Sequence, residues 1–474
     1  MQPGQPQPDD PRLSPYWRAL GACLFVLAVY IVTITALGTE TAKRSTAPPW
    51  YAWVRYPPTK TRLQAIFLVL PAIVYVGWTL FVRRIVVRKM ADAMVLPVAV
   101  AAVLAMNATT AMMDGGPDAI WKPFDVSLRG GSDFWADVPA VRAAGVSPFL
   151  RGYVQHLYHY SIHTRTHPPG PVLALYFVGC LLGPGAKAAS WSALVITATA
   201  VVPFFLLVRR LAQRQIATVA LALYVVTPSL VIYGATSMDG VTLVALLWTM
   251  YFLENAIDQP GIGIGLVAGV SIAVSLMMSY VVVCIGALAA LYAVQEVAAN
   301  RGKAGSVIGC LAVSLLAPVG GFVAIYALTG FDLVKSFEAS RYYDHYIMRT
   351  FKMSFPRYLD ISFSNLMGFL IGIGFPVVIL WGKQTARSVK LRRDWTAADR
   401  FNAAGVICVL ALSFAGLFTH ETERIWLFFI PPALLGAASW IVCAGGQSQR
   451  LREWAMGLMF VQTWLFQLML FTLW

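Results

Sequence analysis

The chain has 474 residues, 58% of them hydrophobic and only 12% charged, with a formal net charge of +14. A soluble domain carries about twice that share of charge, and apolar runs close to the ~20-residue bilayer length recur along the whole chain. A soluble enzyme is therefore excluded, and an all-α polytopic membrane protein is expected. In a soluble protein the positive charge would suggest nucleic acid. Here it is assigned to cytoplasmic loops, and no nucleic-acid partner is expected.

In chain order, residues 1–17, "MQPGQPQPDDPRLSPYW", read as a disordered cytoplasmic tail without the marks of a cleavable signal. Spans are expected at 18–38, 63–82 and 90–113. The basic "RRIVVRK" (83–89) lies between the second and third, so it and the N-terminus belong in the cytoplasm. Residues 18–89 thus form two extra N-terminal spans before a module at 90–328, and the loop 114–167 falls outside. Residues 168–184 sit at the lower limit for a span. If they crossed, "RRLAQR" (209–214) would end outside, so a short re-entrant or juxtamembrane helix is expected there. Spans at 190–208, 215–234, 241–256, 261–278, 279–295 and 305–328 follow. A C-terminal region, 329–474, holds an outer loop at 329–360 and spans at 361–381, 401–419, 425–443 and 455–474. The total is about thirteen, each near the bilayer length. The six cysteines all lie in apolar segments without paired spacing and read as core residues.

This threading gathers polar residues on the outer face. The loop 114–167 is too long for a bare connector and holds Asp114, Asp118, Asp125, Asp133 and Asp137. "RGGSD" supplies a turn that presents Asp133, and "DFWADVPAVRAAG" has the pattern of an amphipathic surface helix. "GATSMDG" (234–240) brings Asp239. "KSFEASRYYDHYIMRTFK" brings Tyr342, His345 and Arg349 as acceptor contacts, and "HETER" (420–424) brings Glu421, Glu423 and Arg424. Ionisable residues at the ends of membrane spans are functional candidates. A sheltered carboxylate can serve as general base toward a hydroxyl, while Arg and His beside an apolar groove can hold a phosphate whose lipid tail stays in the bilayer.

Four of the six histidines fall in "HLYHYSIHTRTHPPGPV" (156–172), at 156, 159, 163 and 167. On one continuous helix they would share a face, a spacing compatible with zinc. Pro168 biases His167 away from helical backbone, and the interleaved tyrosines are the composition of a headgroup-level belt. His156, His159 and His163 are read as that belt, and His167 as a substrate contact.

The order of a long outer loop with early aspartates, "SDFWADVPAVRAAG" (132–145), then "THPPGPVLALYFVGCLLG" (166–183), "LLVRRLAQR" (206–214), "SMDG" (237–240) and "ERIWLFFIPP" (423–432) resembles the GT-C class of integral-membrane glycosyltransferases. This group includes protein O-mannosyltransferases and the aminoarabinose and arabinofuranosyl transferases. The resemblance implies a GT-C-like fold and inverting transfer of a sugar, mannose or arabinofuranose as first guesses, from a polyprenyl-phosphate donor. The acceptor would be a hydroxyl of a cell-envelope glycan, glycolipid or protein. It implies Asp133 as base with Asp137 as runner-up, Asp239 and Glu423 toward substrate, and His167, Arg165 and Arg424 at the donor phosphate. Many relatives carry an adjacent acidic pair where this chain has Asp133 and Asp137 four apart, and many lack the two leading spans. No metal or other cofactor is expected, although a divalent cation on Asp133, Asp137 and Asp239 is the arrangement some relatives use. The expected location is a bacterial plasma membrane with the site on its outer face. The alternative is a transporter or flippase of a lipid-linked sugar, to which Pro228, Pro318, Gly320, Gly321 and Pro376 within spans would point.

Overall fold

The structure, a computed structural model, describes residues 13–37, 65–88, 90–125, 133–235, 237–349, 354–391, 394–418, 421–445 and 448–469. The expected N-terminal tail and the "RGGS" turn fall mostly outside these residues. The described residues form helices and no strand, as a chain in lipid requires when every backbone group must bond within its own segment. Among the described residues, six helices are long and apolar enough to cross a membrane: Ile66–Ile85, Asp92–Met112, Ala186–Leu211, Met238–Asp258, Val282–Ala299 and Arg301–Thr329. The pair Tyr358–Ile373 and Phe375–Lys390, bent by 104°, makes up to seven.

That number is smaller than the thirteen expected, and the difference has local causes. The run after the double proline, expected as a short re-entrant or juxtamembrane helix and not among the thirteen, forms Gly170–Leu182, 13 residues and about 20 Å long, short of a ~30 Å hydrocarbon core. The expected span 215–234 is broken into Arg214–Tyr224 and Pro228–Ile232. The run at 425–443 starts as two single turns before Ile430–Cys443.

Burial ranks the helices. Met238–Asp258 and Ala186–Leu211 are central, with 72% and 67% of their most apolar windows buried inside the protein, against 17% for Arg301–Thr329. The latter exposes Ile308, Leu315, Leu316, Val319 and Val323, as a lipid-facing helix does.

The helix Met238–Asp258 also separates two charged ends. At its C-terminal end Arg210 pairs with Glu254 and, at 2.8 Å, with Asp258. Around it Arg214 meets Asp92 at 2.7 Å, Lys303 meets Asp258 at 3.8 Å and Arg400 meets Glu296 at 2.7 Å. Two of the basic turns expected on one side, 209–214 and 300–303, meet here through Asp258. Asp239 begins the same helix, about 28 Å away at 1.5 Å per residue.

Two interrupted helices meet in the interior. Gly374 takes φ +93°, and its Cα lies where an added Cβ would stand 3.4 Å from Pro228 Cδ, so the break after Ile373 packs on the break before Pro228. Helix Ser448–Met469 repairs both. Gln462 Oε1 accepts from the Phe375 amide at 3.0 Å, and its Nε2 donates to the Ile371 carbonyl at 2.8 Å. Thr463 Oγ1 lies 3.3 Å from the Val226 carbonyl. Irregular backbone persists at membrane depth only with such partners. Gln462→Leu strands the buried Phe375 amide and takes one of two donors from the Ile371 carbonyl, and it is expected to lower stability by about 1–3 kcal/mol. An unchanged unfolding midpoint in detergent would refute this role.

Candidate active site

The loop 114–167 is a folded cap with its own core. Phe124, Phe134, Val141, Phe149, Tyr153 and Tyr160 pack with Val172 and Leu175 of Gly170–Leu182 and with Phe331. The amphipathic stretch expected to lie on the membrane forms a single turn, Phe134–Asp137, and a seven-residue helix, Val138–Ala144, with Val138 and Val141 in this core. The histidine stretch is not one helix. Val146–His156 ends, a turn covers Leu157–His159, and Ile162–Arg165 starts afresh after Ser161. The four histidines therefore share no face, and among the described residues no three His, Cys, Asp or Glu side chains are arranged to hold a metal ion.

Asp133 caps the turn Phe134–Asp137, accepting the Phe134 amide at 2.6 Å. It is 8% exposed. Burial pushes its carboxyl up to about 7 against the lowering effect of that amide; Asp239 nearby raises it further and Arg424 opposes. Asp137 is differently employed. Its two oxygens take the Ser161 amide at 3.2 and 3.0 Å, which ties the first turn of the loop to the histidine stretch. Tyr153, fully buried, completes the tie by placing its hydroxyl 2.9 Å from both the Thr164 and the His167 carbonyls.

His167 reaches the same place as Asp133. Phe134 stands edge-on to its ring at 5.2 Å, and its nearest charges are Asp239 and Arg424. Burial holds the imidazole below its ordinary value, so it is neutral at pH 7. Its Nδ1 lies 2.9 Å from the His163 carbonyl. A carbonyl only accepts, so Nδ1 carries the proton and Nε2 presents a lone pair.

Asp239 is fixed by Ser237, the N-cap of Met238–Asp258, whose Oγ accepts the Asp239 amide at 3.0 Å and donates to Oδ2 at 2.6 Å. Arg424 Nη1 meets Asp239 Oδ2 at 3.1 Å, and Nη2 binds Glu421. Glu421 has φ +61°, the only positive φ outside glycine among the described residues. Such backbone is costly for a side-chain-bearing residue and is held by its surroundings. Glu423 turns the other way, onto helix Phe355–Ile373, where an added Cβ at Gly368 would stand 3.0 Å from its Oε2. Neither of its oxygens reaches a hydrogen-bond partner, although the Tyr233 hydroxyl stands close enough to favour the charged form. Burial, with Glu421 beside it, pushes this carboxyl up to about 8.

Of the residues singled out in the sequence, Asp133, His167, Asp239, Glu423 and Arg424 converge. Arg165 is engaged at the rim. It binds the Tyr160 carbonyl and the Tyr343 hydroxyl, with its guanidinium 5.4 and 4.9 Å from the Tyr158 and Tyr343 ring centres. Tyr342, on Leu333–Arg349, is exposed. The side chains of His345 and Arg349 lie outside the described residues, as does His420. Tyr153 and Tyr233 escape a sequence reading because each looks like one more aromatic in an apolar or belt-like run.

A groove of about 580 Å³ runs along the helix that Asp239 begins, starting at Val241. One wall is Val241, Val244, Ala245, Trp248 and Phe252, a single face of the helix that Asp239 begins, and the other is Leu266, Val270 and Val274 of Ile262–Met278. It is almost wholly apolar and follows the helix from the charged end toward mid-membrane.

Residues 166–322 match the family described as dolichyl-phosphate-mannose-protein mannosyltransferase, membrane glycosyltransferases of GT-C type. The match starts at "THPPGPV" and includes "RRLAQR" and "SMDG"; Asp133, Asp137 and Arg424 lie outside it. No curated protein matches the chain. The resemblance to GT-C glycosyltransferases thus holds in the segment that carries His167 and Asp239, within a multi-pass helical membrane protein.

Proposed function

We propose that this protein transfers a sugar from a polyprenyl-phosphate donor to a hydroxyl acceptor with inversion, using Asp133 as general base. The observation that carries the reading is the shared end of one helix. The Asp239–Arg424 pair, suited to a phosphate, stands at the N-terminal end of Met238–Asp258 with Asp133 beside it, and an apolar groove suited to an isoprenoid tail runs along the opposite face of the same helix from Val241. The acceptor hydroxyl gives its proton to Asp133 as its oxygen bonds to the anomeric carbon. The bond from that carbon to the phosphate oxygen breaks, and polyprenyl phosphate leaves with the electron pair. Arg424 offsets the charge that develops on the leaving phosphate. The His167 lone pair accepts from a sugar hydroxyl, a role that suits a neutral imidazole better than phosphate binding does. Asp137 and Tyr153 hold the cap in register.

In this scheme the chain needs no cofactor, since Arg424 supplies the positive charge. The positive-inside rule puts the site on the outer face of a plasma membrane, with a cell-envelope glycan, glycolipid or protein as acceptor. Tyr342 and Tyr343 stand at the rim for it. Mannose is the first sugar to test, given the description of the matching family, and arabinofuranose the second.

The test is incubation of the purified protein with radiolabelled polyprenyl-phosphate sugars bearing long or truncated tails. Release or transfer of label is expected, favouring long tails. Ala245→Phe, which fills the groove, is expected to raise KM for the long-tail donor about tenfold and to spare the truncated one. No release from any donor would defeat the reading. The crossing of two interrupted helices at Gly374 and Pro228 favours a second reading, a flippase of the same lipid; labelled lipid moving across vesicles without bond cleavage would support it.

A further inference from the structure

The charge at this site does not balance. Among the described residues, Asp133, Asp239, Glu421 and Glu423 lie around one guanidinium, Arg424, with His167 and His163 the imidazoles nearest Asp239. A lipid-phosphate donor would bring a further negative charge into this carboxylate excess. Like charges in a sheltered site repel strongly, so the pocket favours the donor when one of its carboxyls is held protonated.

Glu423 is the group placed to do so. It is 9% exposed, both its oxygens lack a hydrogen-bond partner, and it is not used in the transfer step. Helix Phe355–Ile373 meets it with Gly368 and Gly372, neither of which can offer a side-chain partner. The charged and titratable groups that face it are Glu421 and Arg424 on its own segment and Tyr233 from the segment after Pro228–Ile232. Asp239 acts through Arg424. An ionised carboxylate sealed without a partner is costly, whereas a protonated one is not. Thr422 Oγ1, bound to the Asn365 carbonyl at 2.7 Å, anchors the turn so that Glu423 cannot swing out to water.

We propose that Glu423 is a buried proton site behind Arg424, and that its proton allows the anionic lipid-linked donor to bind. When Glu423 loses that proton, the new negative charge lies beside Arg424 and competes with the donor phosphate for it. Donor affinity and proton occupancy are thereby linked. The proposal rests on the lipid-donor reading above and assigns that site a requirement the transfer chemistry alone does not impose.

The test uses the full-length protein with Asp133→Asn, which removes turnover and the titration at position 133. The ligand is an intact polyprenyl-phosphate sugar, a diester whose single charge is constant over the range. Affinity is expected to be flat at neutral pH and to fall as pH rises through about 8, by up to tenfold per unit for one linked proton. Adding Glu423→Gln should keep the neutral-pH affinity and abolish the fall. As a second readout, above about pH 8, donor added to the protein with Glu423 intact should strengthen an infrared carboxylic-acid C=O band that the Gln variant lacks. The same fall with and without Glu423→Gln would overturn the proposal. So would recovery of high-pH affinity by sodium or magnesium ions, which would make the bound cation a metal. So would loss of all donor binding in a Gln variant with an unchanged unfolding midpoint. Absence of donor binding at every pH in Asp133→Asn alone would sink the lipid-donor reading, and this proposal with it.

Discussion

Asp133→Asn is expected to lower sugar transfer by about 10²–10⁴-fold, the usual worth of a positioned general base, with donor binding retained. The amide keeps an oxygen for the Phe134 N–H, so the turn Phe134–Asp137 should survive. Only the capacity to take a proton is lost. The same carboxyl sets a pH limb. Burial raises it to about 7, so below that pH it is protonated and idle, and transfer should rise with pH until the carboxyl is ionised. The variant's residual activity should lack that limb. Asp137→Ala should behave differently, because it strands the buried Ser161 amide and should cost about 1–3 kcal/mol of stability. Full transfer activity in Asp133→Asn would end its assignment as base.

Arg424→Met is the second large effect. Arg424 joins Asp239 and Glu421, with 9%, 25% and 14% of the respective side chains exposed. Removing the guanidinium leaves these acids facing each other and Asp133 without a cation. Breaking such a buried set by deleting one partner costs about 3–5 kcal/mol, and this site would lose its phosphate counter-charge as well. Donor affinity should fall at least a hundredfold, an amount equal to about 2.7 kcal/mol. Arg424→Lys should recover little, because one ammonium cannot reproduce the fork that serves both carboxylates. Equal donor affinity in wild type and Arg424→Met, measured by equilibrium binding, would remove Arg424 from the phosphate site.

Much of this arrangement was legible in the sequence because membrane charge placement is a strong constraint. Asp239 and Arg424 are 185 positions apart (424 − 239), yet the basic turns assigned both to one side, and the structure joins them at 3.1 Å. The helical class and the short helix at Gly170–Leu182 followed from apolar run lengths in the same way. The span count did not. Pro228 and Pro376 were visible as prolines, but nothing local says that a helix will stop for three residues and resume, because the repair comes from Gln462 and Thr463 far along the chain. The division of labour between Asp133 and Asp137 was equally hidden. Both read as loop acids, and only the Ser161 amide, brought in by the fold, marks Asp137 as a clamp and leaves Asp133 for the proposed base.

The repair of two interrupted helices by Ser448–Met469 also bears on the order in which this protein can become active during synthesis. His167, Asp239 and Arg424 all leave the ribosome before Gln462 does. Until that later helix arrives, the Phe375 amide lacks its Gln462 partner and the Ile371 carbonyl has only the Gly374 amide, and the segments carrying Asp239 and Glu423 rest on an unfinished crossing. Every charged residue of the site can therefore be in the membrane while the site itself is still loose. A chain halted before residue 462 should insert but fail to hold its catalytic end together, which makes that helix the step that commits the enzyme to activity.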